Sequence, residues 1–135
     1  MAYYMTINIE KAGTPTSNGK KSKAGHMWYS LKDSSTNDEK DYGFTSKDVD
    51  GDGKNDVSNT DRDDYEGDPA YSRTVEVTKE QYDAMKAFGD DDTNPYFDYH
   101  YNVMTNSCVD YVYKAMAIGG MNPNGEEGFP VPMNN

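Results

Sequence analysis

Residues 24–31 read Ala24-Gly25-His26-Met27-Trp28-Tyr29-Ser30-Leu31, and the period of that stretch decides the fold. A two-residue period puts His26, Trp28 and Ser30 on one face and Met27, Tyr29 and Leu31 on the other, the mark of a strand. On its N-terminal side, residues 11–23 combine Gly, Pro, Ser and Asn with four lysines, which reads as a solvated loop or a wide hairpin end. Before that loop, residues 3–10 alternate apolar and polar from Met5 onward and form a half-buried strand.

Downstream, a short strand is expected around Tyr42-Gly43-Phe44 and a fourth at Ser72–Val77. Between them, residues 46–70 carry eight Asp and no periodic apolar pattern, an irregular excursion. Thr78-Lys79-Glu80-Gln81 fits a capping box, and the helix it opens carries Tyr82, Met85 and Phe88 on one side and stops at Gly89. Asp90–Pro95 reads as a turn, with Asp90-Asp91-Asp92 a solvated part of it in preference to a second metal site, and Tyr96–Val103 as an alternating strand. A last helix begins at Cys108, with Ser107 as N-cap and Asp110 in the first turn, where the helix dipole favours a carboxylate. Val109, Val112, Tyr113 and Met116 are expected on its buried face, Gly119-Gly120 at its end, and coil from Met121. The expected fold is α+β: a small antiparallel sheet packed against two helices, in one domain over residues 1–135.

The 135 residues suffice for one domain. Leu, Ile, Val and Phe together number only 16, so the core must draw on the 12 Tyr, eight Met and single Trp. The net charge of −11 divides as +3 over residues 1–31, −8 over 32–68 and −6 over 69–135. A polyanion is repelled by such a chain, which argues against nucleic acid as partner. No stretch approaches the 18 or so apolar residues of a membrane span, and the first residues lack a signal-peptide pattern. One cysteine excludes an internal disulfide. The protein is therefore expected to stay inside the cell or to leave it without a cleaved signal, and an excised domain of a larger protein would read the same.

Cys108 at the first turn of a helix stands where unpaired amides and the dipole favour the thiolate, the nucleophilic form. A neighbouring imidazole would complete its activation as general base. The plainer alternative is a small buried hydrophobe. His26 and His100 are the available bases. His26 is preferred, because a strand can lie beside a helix N-terminus, whereas the short loop from His100 to Cys108 makes that approach awkward. No His follows Cys108, so the order must be His first, on a strand, and Cys later, at a helix start.

That order resembles a known group. Gly25-His26-Met27-Trp28-Tyr29-Ser30-Leu31, Tyr42-Gly43-Phe44, Gln81-Tyr82 and Asn106-Ser107-Cys108-Val109-Asp110 together look like the circularly permuted branch of the NlpC-type papain-like hydrolases. That branch includes relatives of lecithin–retinol acyltransferase and toxin effectors of type VI secretion. Over residues 3–118 the resemblance implies a thiol hydrolase with Cys108 as nucleophile, His26 as base and the Cys108 amide as oxyanion donor. It implies a third, His-orienting residue on the strand after the His strand, where Tyr42 and Asp41 are the local candidates. Members of the group cleave peptidoglycan peptide bonds, or hydrolyse or transfer lipid acyl groups.

Asp48-Val49-Asp50-Gly51-Asp52-Gly53-Lys54-Asn55-Asp56 fits D-x-D-x-D-G-x-x-D. Asp48, Asp50 and Asp52 place alternate carboxylates around a hard cation and Gly53 permits the sharp turn. Lys54 offers its carbonyl, and Asp56 binds directly or through water. Position twelve is Asn59, so the loop is similar to those of dockerin and thrombospondin repeats rather than to an EF-hand, and Asp61, Asp63 or Asp64 are candidates for the missing ligand. The expectation is a structural Ca²⁺; the alternative is a solvated acidic loop. Calcium is plentiful outside the cytosol, which suits a chain exported to another cell's periplasm.

Three functions follow. The first is a peptidoglycan amidase or endopeptidase used as an antibacterial effector, with a secretion carrier and a cognate immunity protein as partners. The second keeps the Cys–His dyad and acts on a lipid ester. The third is a calcium-stabilised binding module in which Cys108 is core.

Overall fold

The computed structural model describes residues 2–10, 26–44, 57–58, 69, 71–91, 94–95, 97–100, 107–122 and 131–132. Five strands form one antiparallel sheet: β1 (Tyr3–Glu10), β2 (His26–Asp33), β3 (Asp38–Phe44), β4 (Val57–Ser58) and β5 (Tyr71–Val77), in the order β4-β3-β2-β1-β5. Helices α1 (Lys79–Asp90) and α2 (Cys108–Ile118) complete the α+β arrangement. A separate short pair follows, β6 (Met121–Asn122) with β7 (Val131–Pro132).

The two faces read from residues 24–31 are kept by the paired strands, but β1, expected to be half-buried, is buried on both faces at its centre, as is β2. Met5, Ile7, Tyr29, Leu31, Tyr42, Phe44 and Val77 share one face and join the main core with Met85, Phe88, Tyr111, Val112, Ala115 and Met116 from the helices. Tyrosine and methionine do supply much of that core. Tyr29 donates its hydroxyl to the Met85 carbonyl at 2.8 Å, which satisfies a buried phenol and ties β2 to α1. Gly89 lies against Tyr42 and Tyr29; a Cβ there would come within 2.6 Å of the Tyr29 hydroxyl. That close approach, rather than a helix stop, accounts for the glycine, since α1 runs one residue further to Asp90.

Both capping boxes form. Thr78 accepts from the Gln81 amide while Gln81 reaches back to the Thr78 N–H, and Ser107 pairs with Asp110 in the same way. The β2–β3 turn is held by Asp33, whose carboxylate accepts from both the amide and the hydroxyl of Ser35, and Asn37 takes the left-handed conformation at φ 59°.

Several expectations are corrected. Strand β3 begins at Asp38, four residues before Tyr42, because the tight turn at Asp33 sets the two strands in register from their ends. The acidic stretch contributes β4, two residues paired with the end of β3. Residues 97–100 form no strand. Tyr99 donates its hydroxyl to the Asp91 carbonyl, the Phe97 amide bonds Asn94, and the Asp98 carboxylate accepts from the His100 amide, so local bonds replace a ladder. On α2 the buried stripe is Cys108, Tyr111, Val112, Ala115 and Met116, while Val109 and Tyr113 are 37% and 45% exposed. The chain after Met121 is not all coil, since it pairs β6 with β7. Asp90 is a helical residue in two ion pairs rather than a solvated turn residue. The 11–23 loop, Tyr101 and the calcium loop with Asp48, Asp50, Asp52, Lys54 and Asp56 lie outside the described residues.

Candidate functional site

Cys108 opens α2 as its first helical residue and is 5% exposed. Ser107 holds that turn: its hydroxyl accepts from the Val109 amide at 3.3 Å, and the Asp110 carboxylate takes the Ser107 N–H at 2.7 Å. The cap defines the helix start, and the Asp110 carboxylate that completes it offsets part of the helix dipole at that turn. An imidazolium partner would have to supply the remainder.

Helix α2 packs across β2, β3 and α1. Tyr111, one turn beyond Cys108, stacks with Phe44, the last residue of β3, at 5.8 Å and with Tyr29 at 6.1 Å. The first turn of α2 therefore lies over the half of the sheet where β2 opens with His26. The His26 ring stacks on Trp28 at 5.5 Å, on the face turned away from Tyr29 and the helices. Thiol and imidazole thus belong to elements in contact, but to opposite sides of the sheet. His100 lies in the 97–100 segment with its Nδ1 2.7 Å from the Asp98 carboxylate, and both side chains are exposed. That contact holds the Asp98 carboxyl below its ordinary value.

The two candidate third residues sit on different faces. Tyr42 is buried on the helix side, stacked on Tyr29 at 5.1 Å, and donates its hydroxyl to Asp90 at 2.9 Å. Burial and that bond push its phenol far above the ordinary range, so it is a donor already engaged. Asp41 faces the other way and accepts from Ser30 at 2.7 Å. It lies opposite Ser30, four residues from His26, about 13 Å along an extended strand. Tyr42 pairs with Tyr29, three residues from His26.

No family model, curated protein or solved structure matches this chain. The elements themselves establish a small α+β arrangement with a five-stranded antiparallel sheet and two helices.

The face that carries His26 is polar, and its centre is buried at Asn8 and Ser30. Ser72 donates to Asn8 at 2.8 Å, Asn8 to Ser30 at 2.9 Å and Ser30 to Asp41, so one side-chain chain crosses β5, β1, β2 and β3. Trp28 and Glu10 are buried on that face too. Glu10, which sequence reasoning passed over, stands directly opposite His26 in the β1–β2 ladder. A groove of about 480 Å³ opens at the other end of the sheet, by Asp33, Thr36 and Asp38, and its Lys40 and Lys86 are engaged with Asp90. Among the described residues no group of three or more His, Cys, Asp or Glu is placed to hold a metal ion, and no helix is long and apolar enough to cross a membrane.

Proposed function

We propose that the protein is a cysteine hydrolase of amide bonds, a peptidoglycan amidase or endopeptidase that serves as an exported antibacterial effector with a permuted papain-like arrangement. The observation that carries this reading is the position of Cys108 at the start of a capped helix whose first turn lies over the half of the sheet where His26 opens β2. Cys108 Sγ attacks the carbonyl, and His26 takes the thiol proton and returns it to the leaving amine. The Cys108 amide, at the helix start, is the oxyanion donor. Asp48, Asp50, Asp52, Asp56 and the Lys54 carbonyl would hold a structural Ca²⁺, which would order the acidic insertion outside the cytosol. A lipid ester is the alternative substrate for the same dyad, and an immunity protein and a secretion carrier are the partners this function calls for.

A second reading, a calcium-stabilised binding module with Cys108 as core, is favoured by the 5% exposure of Cys108 and by the stacking of His26 on the far face. Alkylation of Cys108 by iodoacetamide against pH, with calcium, in wild type and His26→Ala, separates the two. Reaction persisting well below pH 8 and lost in the variant is expected for the hydrolase. Reaction only after denaturant is added would leave the binding module. Digestion of peptidoglycan and of phospholipid vesicles then assigns the substrate.

A further inference from the structure

The two edges of the sheet differ in character. β4 forms one with two residues, and a very short strand is a common way to blunt an edge. β5 forms the other with seven residues, paired to β1 position for position without a bulge, and it contains neither Pro nor Gly. Among the described residues no strand pairs with its outer side. Tyr71, Ser72, Arg73 and Thr74 are exposed in succession, Tyr71 to 45%, so neither face of the strand is covered along that run. A regular strand in this state offers a row of backbone donors and acceptors to a second strand.

The composition of β5 suits a second copy of itself. Tyr, Thr and Val supply four of its seven residues, the types that pack best on a pleated surface. In a chain of net charge −11, Arg73 and Glu76 leave this strand neutral. Two copies can meet here without the repulsion that contacts through acidic surface would carry. A two-fold axis along the sheet normal makes the strands antiparallel and keeps like faces together. Centred on Thr74, it pairs Tyr71 with Val77, Ser72 with Glu76 and Arg73 with Val75, using the whole strand and opposing no like charges. Centred on Arg73, it would set two guanidinium groups opposite each other. Centred on Val75, it would leave Tyr71 and Ser72 without partners in the second β5.

We propose that β5 is a self-association edge, at which two copies join their sheets antiparallel about Thr74. Main-chain bonds supply the affinity, and each exposed Tyr71 gains Val77 of the second copy as a neighbour. A strand pair of this length buries less than the roughly 1,200 Å² of a standard interface, so the dimer is weak and depends on concentration. Cys108 and His26 take no part in it, and it stands apart from the hydrolase reading.

Sedimentation equilibrium of the full chain from about 10 μM to about 1 mM is the test. The mass should rise with concentration from one chain toward two. Thr74→Lys and Thr74→Glu each place like charges about 5 Å apart at the two-fold axis and should abolish the rise. An equimolar mixture of those two variants should restore it. Thr74→Val, which removes the 2.7 Å hydroxyl contact with Thr6 and adds no charge, should dimerise as wild type does. A wild type that stays monomeric overturns the inference and leaves the edge to an extended segment of another protein. A dimer indifferent to Thr74→Lys overturns it too, because the contact then lies on another surface. Should the charged variants not fold, hydrogen exchange in wild type decides: β5 amides should gain protection at the high concentration, and no gain overturns the inference.

Discussion

Asp90 shows what a single side chain does when three donors converge on it. Burial by itself would raise its pKa, but Lys40 at 2.7 Å, Lys86 at 2.7 Å and the Tyr42 hydroxyl at 2.9 Å hold the carboxyl down to about 2. A carboxyl held below its ordinary 3.8 contributes stability that is fully present above about pH 4 and is lost as pH falls through about 2. The carboxylate is 33% exposed and both lysines more so, which screens the ion pairs to about 1 kcal/mol in total. Asp90→Asn should accordingly lower Tm by a few degrees near pH 6, and the gap from wild type should close between pH 4 and pH 2 in thermal melts. Nothing in the run Asp90-Asp91-Asp92 distinguishes its first member, because its partners come from β3 and from one turn back on α1. Glu10 is hidden for a related reason. Its alternation is plain, yet the residue opposite it depends on the register across residues 11–25, a connection whose length does not set the pairing.

Helix α2 illustrates how an element can be foreseen while its orientation is not. Ser107, Asp110 and Gly119 mark its ends by local chemistry, and the structure agrees. Its face was expected to follow the large residues Val109, Val112, Tyr113 and Met116. The helix instead buries the stripe with small Cys108 and Ala115, which lets Tyr111 enter the aromatic cluster, 5.0 Å from Phe88 and 5.2 Å from Phe97. Tyr111→Ala should cost about 3–5 kcal/mol in urea denaturation, as deletion of a buried ring does. Tyr113→Ala should cost about 0.5 kcal/mol or less, as an exposed substitution does. Equal costs would put the stripe where the large residues are. Residues 97–100 fail in the other direction: their alternation does track burial, with Tyr99 inside and His100 outside, but among the described residues no strand pairs with them, and local acceptors take backbone donors.

For the whole molecule, the charge of −11 is concentrated where the acidic insertion lies, and a bound cation is the simplest relief of that repulsion. Ca²⁺ in large excess over its dissociation constant should stabilise the fold by about 2.7 kcal/mol at a hundredfold excess. The expected result is a Tm that rises by several degrees with Ca²⁺, falls back with chelator, and no longer responds in Asp50→Asn. A Tm unmoved by calcium would return the loop to a solvated acidic stretch. The sequence by itself determined the alternation of β1 and β2, the two capped helices and the Tyr- and Met-built core, because each depends on residues within a few positions of one another. It also singled out Cys108 and His26 by chemical type. Tertiary structure alone decided which faces meet: α2 against Tyr29 and Phe44, the His26 ring on Trp28, Asp41 on Ser30, Tyr42 on Asp90, and Glu10 across from His26. Those pairings depend on strand register and helix rotation, which are set by how large and small side chains interlock across elements distant in the chain.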